Sequence, residues 1–377
     1  MLRQAERCGG IGTDRMPRQA AGYAGRVRLP YNVGMSQITL VLPFALPVPE
    51  FAPDLVRALG ASTPALAALL TRTSSAARIP ANDAVRALPH EQWLADALGL
   101  QDAGRPAFAA AAMRALGVAP DAGHWFIVNP VHIEIARTHL MLQDPAYLNL
   151  TEDDSRALFE TARPSFEEAG HALVYGDAGT WFMRADDWAG LDTATLESTL
   201  GMDLTDWMPL GARAAAFRRL QNEVQILWHA HPVNAQREAR RLAPVNGFWS
   251  WGAADAAQVP APGAPRLAAF EAGAVVNALA DVRLASLGDL AARLDGDTIL
   301  YCASAAPYAL SADWGGWIAR MQQLEAALFA PILESLKKGR VRTVRLVLSQ
   351  RDAHAEYTTT ALAQRYFWRR PTLDRLL

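Results

Sequence analysis

The densest group of polar side chains in the sequence lies between residues 229 and 246. His231, Asn234 and Arg237 fall within one short stretch, and Asn246 follows after an apolar interval. An arginine offers a planar fork of N–H donors that matches a phosphate or carboxylate, and histidine and asparagine add further donors. We therefore predict a ligand-binding site at these four residues. The alternative is that they fix the loop after a long helix, with Arg237 in a surface ion pair.

Two other groups contain residue types found at metal sites. His132 and His139 are spaced to share one face of a helix. Asp352, His354 and Glu356 alternate, as they would along one face of a strand. Metal binding is one interpretation of each group, and ordinary surface or capping side chains are the other. We adopt the second interpretation, so no metal site and no catalytic residue is predicted.

The remaining reactive and aromatic residues fit a protein core. Cys302 lies in an apolar run and is predicted to be a buried strand thiol, and Cys8 is too distant in sequence to form a disulfide framework or zinc site with it. Trp249 and Trp251 alternate on one face of a predicted strand, where they could form the floor of a cleft or part of the core.

The overall charge limits the classes of partner. The formal net charge is −2, so we expect neither a nucleic acid nor a membrane partner, and the sequence identifies no protein partner. A solvated face explains the arginine-rich tail with Arg365, Arg369, Arg370 and Arg375, and an acidic protein or nucleic acid is the alternative partner for it. No apolar run has the length of a membrane span, and we expect a cytoplasmic protein.

The first residues differ from the rest of the chain. Residues 1–34 are basic and glycine-rich and lack the apolar segment of a secretory signal. We predict a disordered extension here, with Met35 as a possible translation start.

Apolar periodicity predicts alternating strands and helices. The predicted strands are 38–42, 125–128, 172–175, 180–184, 244–252, 298–304 and 343–348, and the predicted helices are 54–59, 64–71, 91–98, 151–170, 213–229, 270–280, 287–294 and 313–336. The pattern predicts an α/β protein with a mostly parallel sheet. We expect core parts at 36–125 and 266–377, with an α+β cap inserted at 126–265.

The middle motif resembles that of a known family. His231-Pro-Val-Asn234, Arg237, Val245-Asn246 and Phe248-Trp249-Ser-Trp251-Gly252 are similar to a segment of the archaeal-type cofactor-independent phosphoglycerate mutases. The likeness extends to Leu40–Ala45 and to Thr63–Leu66. It implies an alkaline-phosphatase-like core, two divalent metals and a serine that accepts the phosphoryl group, in a divergent bacterial branch of the family.

The positions that would carry this chemistry hold other residues. Leu42-Pro-Phe44-Ala stands where the family has an Asp-Gly pair, and Asn82 stands where it has the nucleophilic serine. Ala303–Pro307 and Ser349–His354 replace the later metal-ligand segments. We therefore expect no cofactor, and a binding or regulatory protein for a small anionic or phosphorylated metabolite. The alternative is an active mutase or phosphatase that uses unrecognised metal ligands.

Overall fold

The structure is a computed structural model that describes residues 36–136, 139–290 and 296–377. The predicted N-terminal extension lies outside the described residues. Met35–Leu377 forms one compact unit. None of the described helices is both long enough and apolar enough to cross a membrane.

Strands and helices alternate along the chain. The strands are β1 (Ser36–Leu42), β2 (Ser75–Pro80), β3 (Gln101–Asp102), β4 (Arg105–Pro106), β5 (His124–Val131), β6 (Ile133–Ala136), β7 (His139–Leu142), β8 (Ala172–Asp177), β9 (Thr180–Arg184), β10 (Gly247–Asp255), β11 (Arg266–Phe270), β12 (Val282–Arg283), β13 (Thr298–Cys302), β14 (Val341–Ser349) and β15 (Ala353–Thr360). The α-helices are α1 (Ala52–Leu59), α2 (Pro64–Thr71), α3 (Pro89–Leu98), α4 (Ala109–Ala115), α5 (Glu152–Glu168), α6 (Leu196–Thr199), α7 (Leu204–Trp207), α8 (Ala214–His229), α9 (Pro232–Ala239), α10 (Ala274–Leu279), α11 (Ala306–Leu310), α12 (Trp314–Leu324) and α13 (Ala330–Lys337).

Seven strands form the main sheet, in the order β12-β11-β13-β1-β14-β15-β2. The pairs from β12 to β14 are parallel, and β15 is antiparallel to both of its neighbours. The carboxyl ends of β13, β1 and β14 therefore meet at one edge. The predicted α/β class with a mostly parallel sheet is confirmed.

The chain between β4 and β11 builds a second, antiparallel sheet in the order β10-β5-β9-β8. This sheet and its helices are the α+β insertion that the sequence predicts. The domain boundaries at 126 and 265 stay a prediction.

Successive residues of a strand face opposite sides of the sheet, so the buried residues form separate layers. Ile38 and Leu40 of β1 face a core with α1, α2, α12 and α13. Val41, on the other face, belongs to a core that also contains α3, α4 and residues of the second sheet such as Trp249. The far face of the second sheet packs against α5 and α8. One continuous apolar layer thus joins the two sheets.

Local sequence signals explain several element boundaries. Thr151 caps α5, and its Oγ1 accepts from the Asp154 N–H at 3.2 Å. A π-helical turn at Glu325–Phe329 separates α12 from α13 directly before Pro331. Proline lacks an N–H and crowds the preceding turn, so a wider turn accommodates it.

Three sequence predictions about elements are corrected. The segment 270–280 is not one helix, because β11 ends at Phe270 and α10 begins only at Ala274. Between them, Glu271 has a left-handed backbone conformation (φ +50°), which is incompatible with a continuous right-handed helix. His132 and His139 do not share a helical face, because His132 precedes β6 and His139 lies on its hairpin partner β7.

The segment 287–294, where a helix is predicted, contains a 3₁₀ turn at Leu287–Asp289 and a helical residue at Leu290, and residues 291–295 lie outside the described part of the chain. Helical periodicity places Leu227 on the same face of α8 as the buried Leu220 and Val224, but Leu227 is 41% exposed.

Candidate functional site

His231 and Asn234 stabilise the start of a helix that the sequence did not predict. His231 is the N-cap of α9, and its Nδ1 accepts from the Val233 N–H at 3.2 Å. The buried Asn234 amide donates to the Trp228 and Val245 carbonyls, each at 2.8 Å, and accepts from the Val245 N–H at 2.8 Å. Partial burial also lowers the pKa of His231, which disfavours the cationic form that would attract an anion.

The Arg237 guanidinium is fully buried. Its Nε donates to the Ala243 carbonyl at 2.9 Å, and one Nη donates to the Leu148 carbonyl at 2.5 Å. The other Nη lies 3.9 Å from an Asp154 carboxylate oxygen and has no hydrogen-bond partner among the described residues. The side chain therefore ties the end of α9 to the segment before α5, rather than forming a surface ion pair.

Asn246 is also hydrogen-bonded to backbone. Its Oδ1 accepts from the Ile133 N–H at 2.7 Å, and its Nδ2 donates to the Ile133 carbonyl at 2.9 Å. With His231, Asn234 and Arg237 bonded as described, the contacts favour the alternative in which the cluster fixes the loop after α8. The ligand-binding role of these four residues stays a prediction.

A second polar group fills the carboxyl edge of the main sheet. Ser349, the last residue of β14, places its Oγ 2.9 Å from His90 Nδ1 and accepts from the Phe44 N–H at 3.4 Å. The other ring nitrogen of His90 lies 3.4 Å from a Glu197 carboxylate oxygen. This is a serine–histidine–carboxylate chain, but Ser349 and His90 have no exposed surface, so no reactant can reach the hydroxyl.

The neighbouring Glu91 is buried beside the same network. One carboxylate oxygen accepts from the Leu88 N–H at 2.8 Å and from the Thr195 hydroxyl at 2.5 Å. Burial, reinforced by the charge of Glu197, raises the pKa of Glu91 to about 7. The bonds to Leu88 and Thr195 oppose that shift but do not cancel it.

Tyr301 and Arg351 border this network. Burial raises the pKa of Tyr301 well above its ordinary value, and its ring packs edge-on against His90 at 6.1 Å between centroids. Arg351 donates to the carbonyls of Ser198 and Leu200, and burial lowers its pKa. We call His90, Glu91, Glu197, Ser349, Tyr301 and Arg351 the edge network.

The donor set at this edge does not fit the two-metal centre that the family resemblance implies. Of the described residues, no three histidine, cysteine, aspartate or glutamate side chains are grouped so as to hold a metal ion. The imidazole of His90 is engaged by a hydroxyl and a carboxylate, and the end of β1 offers the phenyl ring of Phe44. A two-metal centre needs several carboxylate and imidazole ligands directed to common points.

An open cavity of about 510 Å³ lies on the same face of the sheet, beside β15 and α3. We call it the β15 cavity. Its lining residues are Ile79, Pro80, Ala81, Asn82, Pro89, Gln92, Trp93, Asp96, Ala97, Arg345, His354 and Glu356. Two predicted residues, Asn82 and His354, therefore meet at one cavity, whereas Asp352 precedes β15 in an exposed turn.

Glu356 organises one wall of the cavity. It accepts from Trp93 Nε1 at 2.8 Å and from the Arg345 guanidinium, and His354 Nε2 lies 3.5 Å from it. These contacts, led by the hydrogen bond from His354, lower the pKa of Glu356 to about 2. Arg345 also lies over the Trp93 ring at 5.3 Å and is one-third exposed. The wall thus presents a partly exposed guanidinium beside an ionised carboxylate.

The remaining candidates belong to the core. Cys302 is buried, as predicted, and burial raises the pKa of its thiol. Trp249 donates to the Ala194 carbonyl at 2.9 Å, and Trp251 donates to Asn129 Oδ1 at 2.6 Å. Both rings are packed between the two sheets, which favours the core interpretation over a cleft floor.

Sequence reasoning placed His354 and Glu356 on one strand face, but it missed the edge network and the Trp93 and Arg345 part of the cavity wall. His90-Glu91 is an adjacent imidazole and carboxylate pair at the start of the helix predicted at 91–98, which was an available signal. Glu197 comes from the inserted segment and Ser349 from a late strand, and no spacing rule connects these positions. The contacts among them exist only because the two sheets pack together.

Comparisons with known proteins give distant likenesses. No family model matches the chain, and no curated protein sequence matches it. The solved structures that it resembles include the PH0037 protein from Pyrococcus horikoshii, at 12% identity and a TM-score of 0.47, over 86% of this chain and 87% of that one. They also include a cofactor-independent phosphoglycerate mutase from Thermoplasma acidophilum DSM 1728, at 14% identity and a TM-score of 0.40, over 86% and 90%. Likeness at this level assigns no role to any residue of this chain.

Proposed function

We propose that this chain is a phosphoglycerate-mutase-like protein that binds a small anionic or phosphorylated ligand without two-metal phosphoryl transfer. In this proposal it is a divergent bacterial relative of the cofactor-independent mutases. It has an alkaline-phosphatase-like core and an inserted cap, and it acts in the cytoplasm as a binding or regulatory protein.

The edge network is the observation that carries this proposal. Phosphoryl transfer of the two-metal type needs an accessible nucleophile and paired cations at the carboxyl edge of the sheet. Here Ser349 and His90 are fully buried and bonded to each other, and the described donors do not form a metal-binding group.

The backbone at the end of β1 gives further support. The resemblance implies an Asp-Gly pair at this point, and Phe44 adopts a left-handed conformation (φ +55°) that glycine favours. A phenylalanine in this conformation is strained, and its packing and its hydrogen bond from Trp317 to the Phe44 carbonyl hold it there. In this interpretation, the chain keeps the shape of the turn that the family has after its first strand but lacks the aspartate of that turn.

The β15 cavity is the position that best suits a ligand. Its volume of about 510 Å³ is enough for a small metabolite, and it contains polar groups that are not fully used. Arg345 gives one of its Nη groups to Glu356 and keeps other N–H groups at its exposed end. A phosphate or carboxylate beside Arg345 would gain charge-assisted hydrogen bonds.

Two assays on the purified full chain test the proposal. The first measures interconversion of 2- and 3-phosphoglycerate, and release of phosphate from both, with added manganese, magnesium or zinc. The second measures thermal shifts with inorganic phosphate, 3-phosphoglycerate and other phosphorylated metabolites. We expect no turnover with any metal and a stabilising shift with at least one phosphorylated compound.

The rival function is an active mutase or phosphatase with metal ligands that sequence comparison failed to recognise. Metal-dependent turnover, or two metal ions per chain by elemental analysis, would establish that rival and reject the proposal. An absence of both turnover and thermal shifts would reject the binding function.

A further inference from the structure

The segment Leu362–Arg370 exposes large apolar side chains. Phe367 is 81% exposed, Trp368 is 65% exposed and Leu362 is 64% exposed, whereas five other tryptophans are fully buried. Single exposed apolar residues are ordinary on protein surfaces. Two adjacent exposed aromatic rings, with a third at Tyr366, form a patch of the kind that marks an interaction site.

The backbone beneath this patch is held firmly. The buried Gln364 donates to Thr359 Oγ1 at 2.9 Å and to the Arg72 carbonyl at 3.3 Å. Arg369 donates to the Thr73 carbonyl at 3.1 Å. The exposed rings are therefore displayed by an anchored turn, so little ordering entropy has to be lost when they contact a partner.

The rings also pack on each other. The Trp368 ring lies 5.1 Å from the Tyr366 ring and 5.1 Å from the Phe367 ring, the latter edge-on. These contacts hold the rings as one unit.

The charge around the rings is positive. Of the described residues, Arg365, Arg369 and Arg370 form no salt bridge with any carboxylate. Asp374 is the one acidic residue between positions 358 and 377. Contact between two copies of this patch would bring these arginines together, so charge disfavours self-association through it.

We propose that this C-terminal patch, Leu362 and Arg365–Arg370, binds the surface of a bilayer that contains anionic lipids. Tryptophan and tyrosine side chains favour the headgroup region, because their rings are apolar and carry one polar group. Phenylalanine and leucine gain from burial at the acyl boundary, and arginines pair with anionic headgroups. This peripheral contact differs from the sequence-based expectation of no membrane partner, which rested on net charge alone.

Sedimentation of the full chain with vesicles tests the patch. One set of vesicles contains phosphatidylcholine alone, and the other contains about one-quarter phosphatidylglycerol. We expect binding to the anionic vesicles, weakening as salt is added, and little binding to the neutral ones. The double variant Arg365→Gln/Arg370→Gln should bind about 25-fold more weakly, at about fivefold for each arginine. Phe367→Ser/Trp368→Ser should also lose most of the binding.

Matched variants on α8 separate a local contact from a general effect of charge. Arg218 and Arg219 are exposed and adjacent, and Ile226 is 72% exposed. Arg218→Gln/Arg219→Gln and Ile226→Ser should bind anionic vesicles as the wild type does, and circular dichroism should show every variant folded. Equal losses in patch and control variants would overturn the proposal. So would binding to neither vesicle type, or binding to a single-stranded oligonucleotide but not to vesicles.

Discussion

The His231–Asn246 segment and the β15 cavity both contain side chains suited to anions, but they use them differently. In the segment, the amides of Asn234 and Asn246 and two of the three guanidinium nitrogens of Arg237 are bonded to backbone groups, and the third nitrogen is buried 3.9 Å from Asp154. In the cavity, Arg345 shares one carboxylate with Trp93 and His354 and keeps an exposed end. A dense polar motif therefore does not identify a ligand site unless some of its donors remain free.

The largest expected effect concerns the His231–Asn246 segment, whose polar groups are bonded within the protein. Arg237→Ala should lower the free energy of unfolding by roughly 3 kcal/mol, because it empties buried volume and leaves the Leu148 and Ala243 carbonyls unpaired. Arg240→Ala is the matched control, since Arg240 is on the same helix end and pairs with the same Asp154 but is half exposed. Denaturant unfolding should show a change below about 1 kcal/mol for the control.

The comparison would fail if Arg237→Ala unfolded like the wild type yet no longer bound 3-phosphoglycerate. That result would make Arg237 a ligand contact and restore the sequence-based interpretation of the segment.

The pH dependence of folding stability provides a second test, and it concerns the buried polar groups of the edge network. The pKa of Glu91 is about 7 in the folded chain and near its ordinary value of 4.5 when unfolded. The folded state therefore holds an extra proton between these values, and the stabilisation from this group is lost as pH rises through them. His90 and Glu197 face this carboxyl directly, and Arg351 is the nearby cation.

Glu91→Gln removes this titration. Between about pH 5 and about pH 8, the stability of the wild type should fall relative to the variant by roughly 2 kcal/mol. Glu356 stays ionised throughout that range and adds no slope, because its pKa is about 2. Chemical denaturation at several pH values measures the difference, with the exposed Glu50→Gln as control. Parallel pH profiles for wild type and Glu91→Gln would contradict a buried, protonated Glu91.

The smallest effect is expected at the β15 cavity and concerns the affinity for an anionic ligand. Arg345→Gln should weaken binding of 3-phosphoglycerate or inorganic phosphate about tenfold, the value of one charge-assisted hydrogen bond. Glu356→Gln should strengthen binding, because Arg345 then loses its neutralising carboxylate. Weaker binding by Arg345→Gln together with stronger binding by Glu356→Gln would identify Arg345 as a ligand contact. A purely structural role for the pair would instead weaken binding in both variants.

Arg342→Gln is the control for that pair of variants. Arg342 is exposed on the same strand, at the irregularity in the pairing of β14 with β1, and it is not among the residues that line the β15 cavity. Isothermal titration should give wild-type affinity for this control. If all three variants bound equally well, the β15 cavity would not be the ligand site.

Local signals made much of the fold predictable. Proline at the start of α2, the Thr151 cap and the apolar run of β1 are each readable within one short segment, and the structure contains these elements. The parallel sheet followed from the alternation of such elements. Where the local signal was ambiguous, as at Phe270, strand pairing with β13 decided the outcome. Likewise, His139 lies in the β6–β7 hairpin and not on the helical face that its spacing from His132 predicted.

The sequence by itself determined which residue types stand at the strand ends. It could not determine whether a polar side chain was free. The burial of Arg237, the contact between His90 and Ser349 and the meeting of Asn82 with His354 join residues from different elements. Hydrogen bonds are short and directional, so a donor's partner depends on the distances that tertiary packing creates.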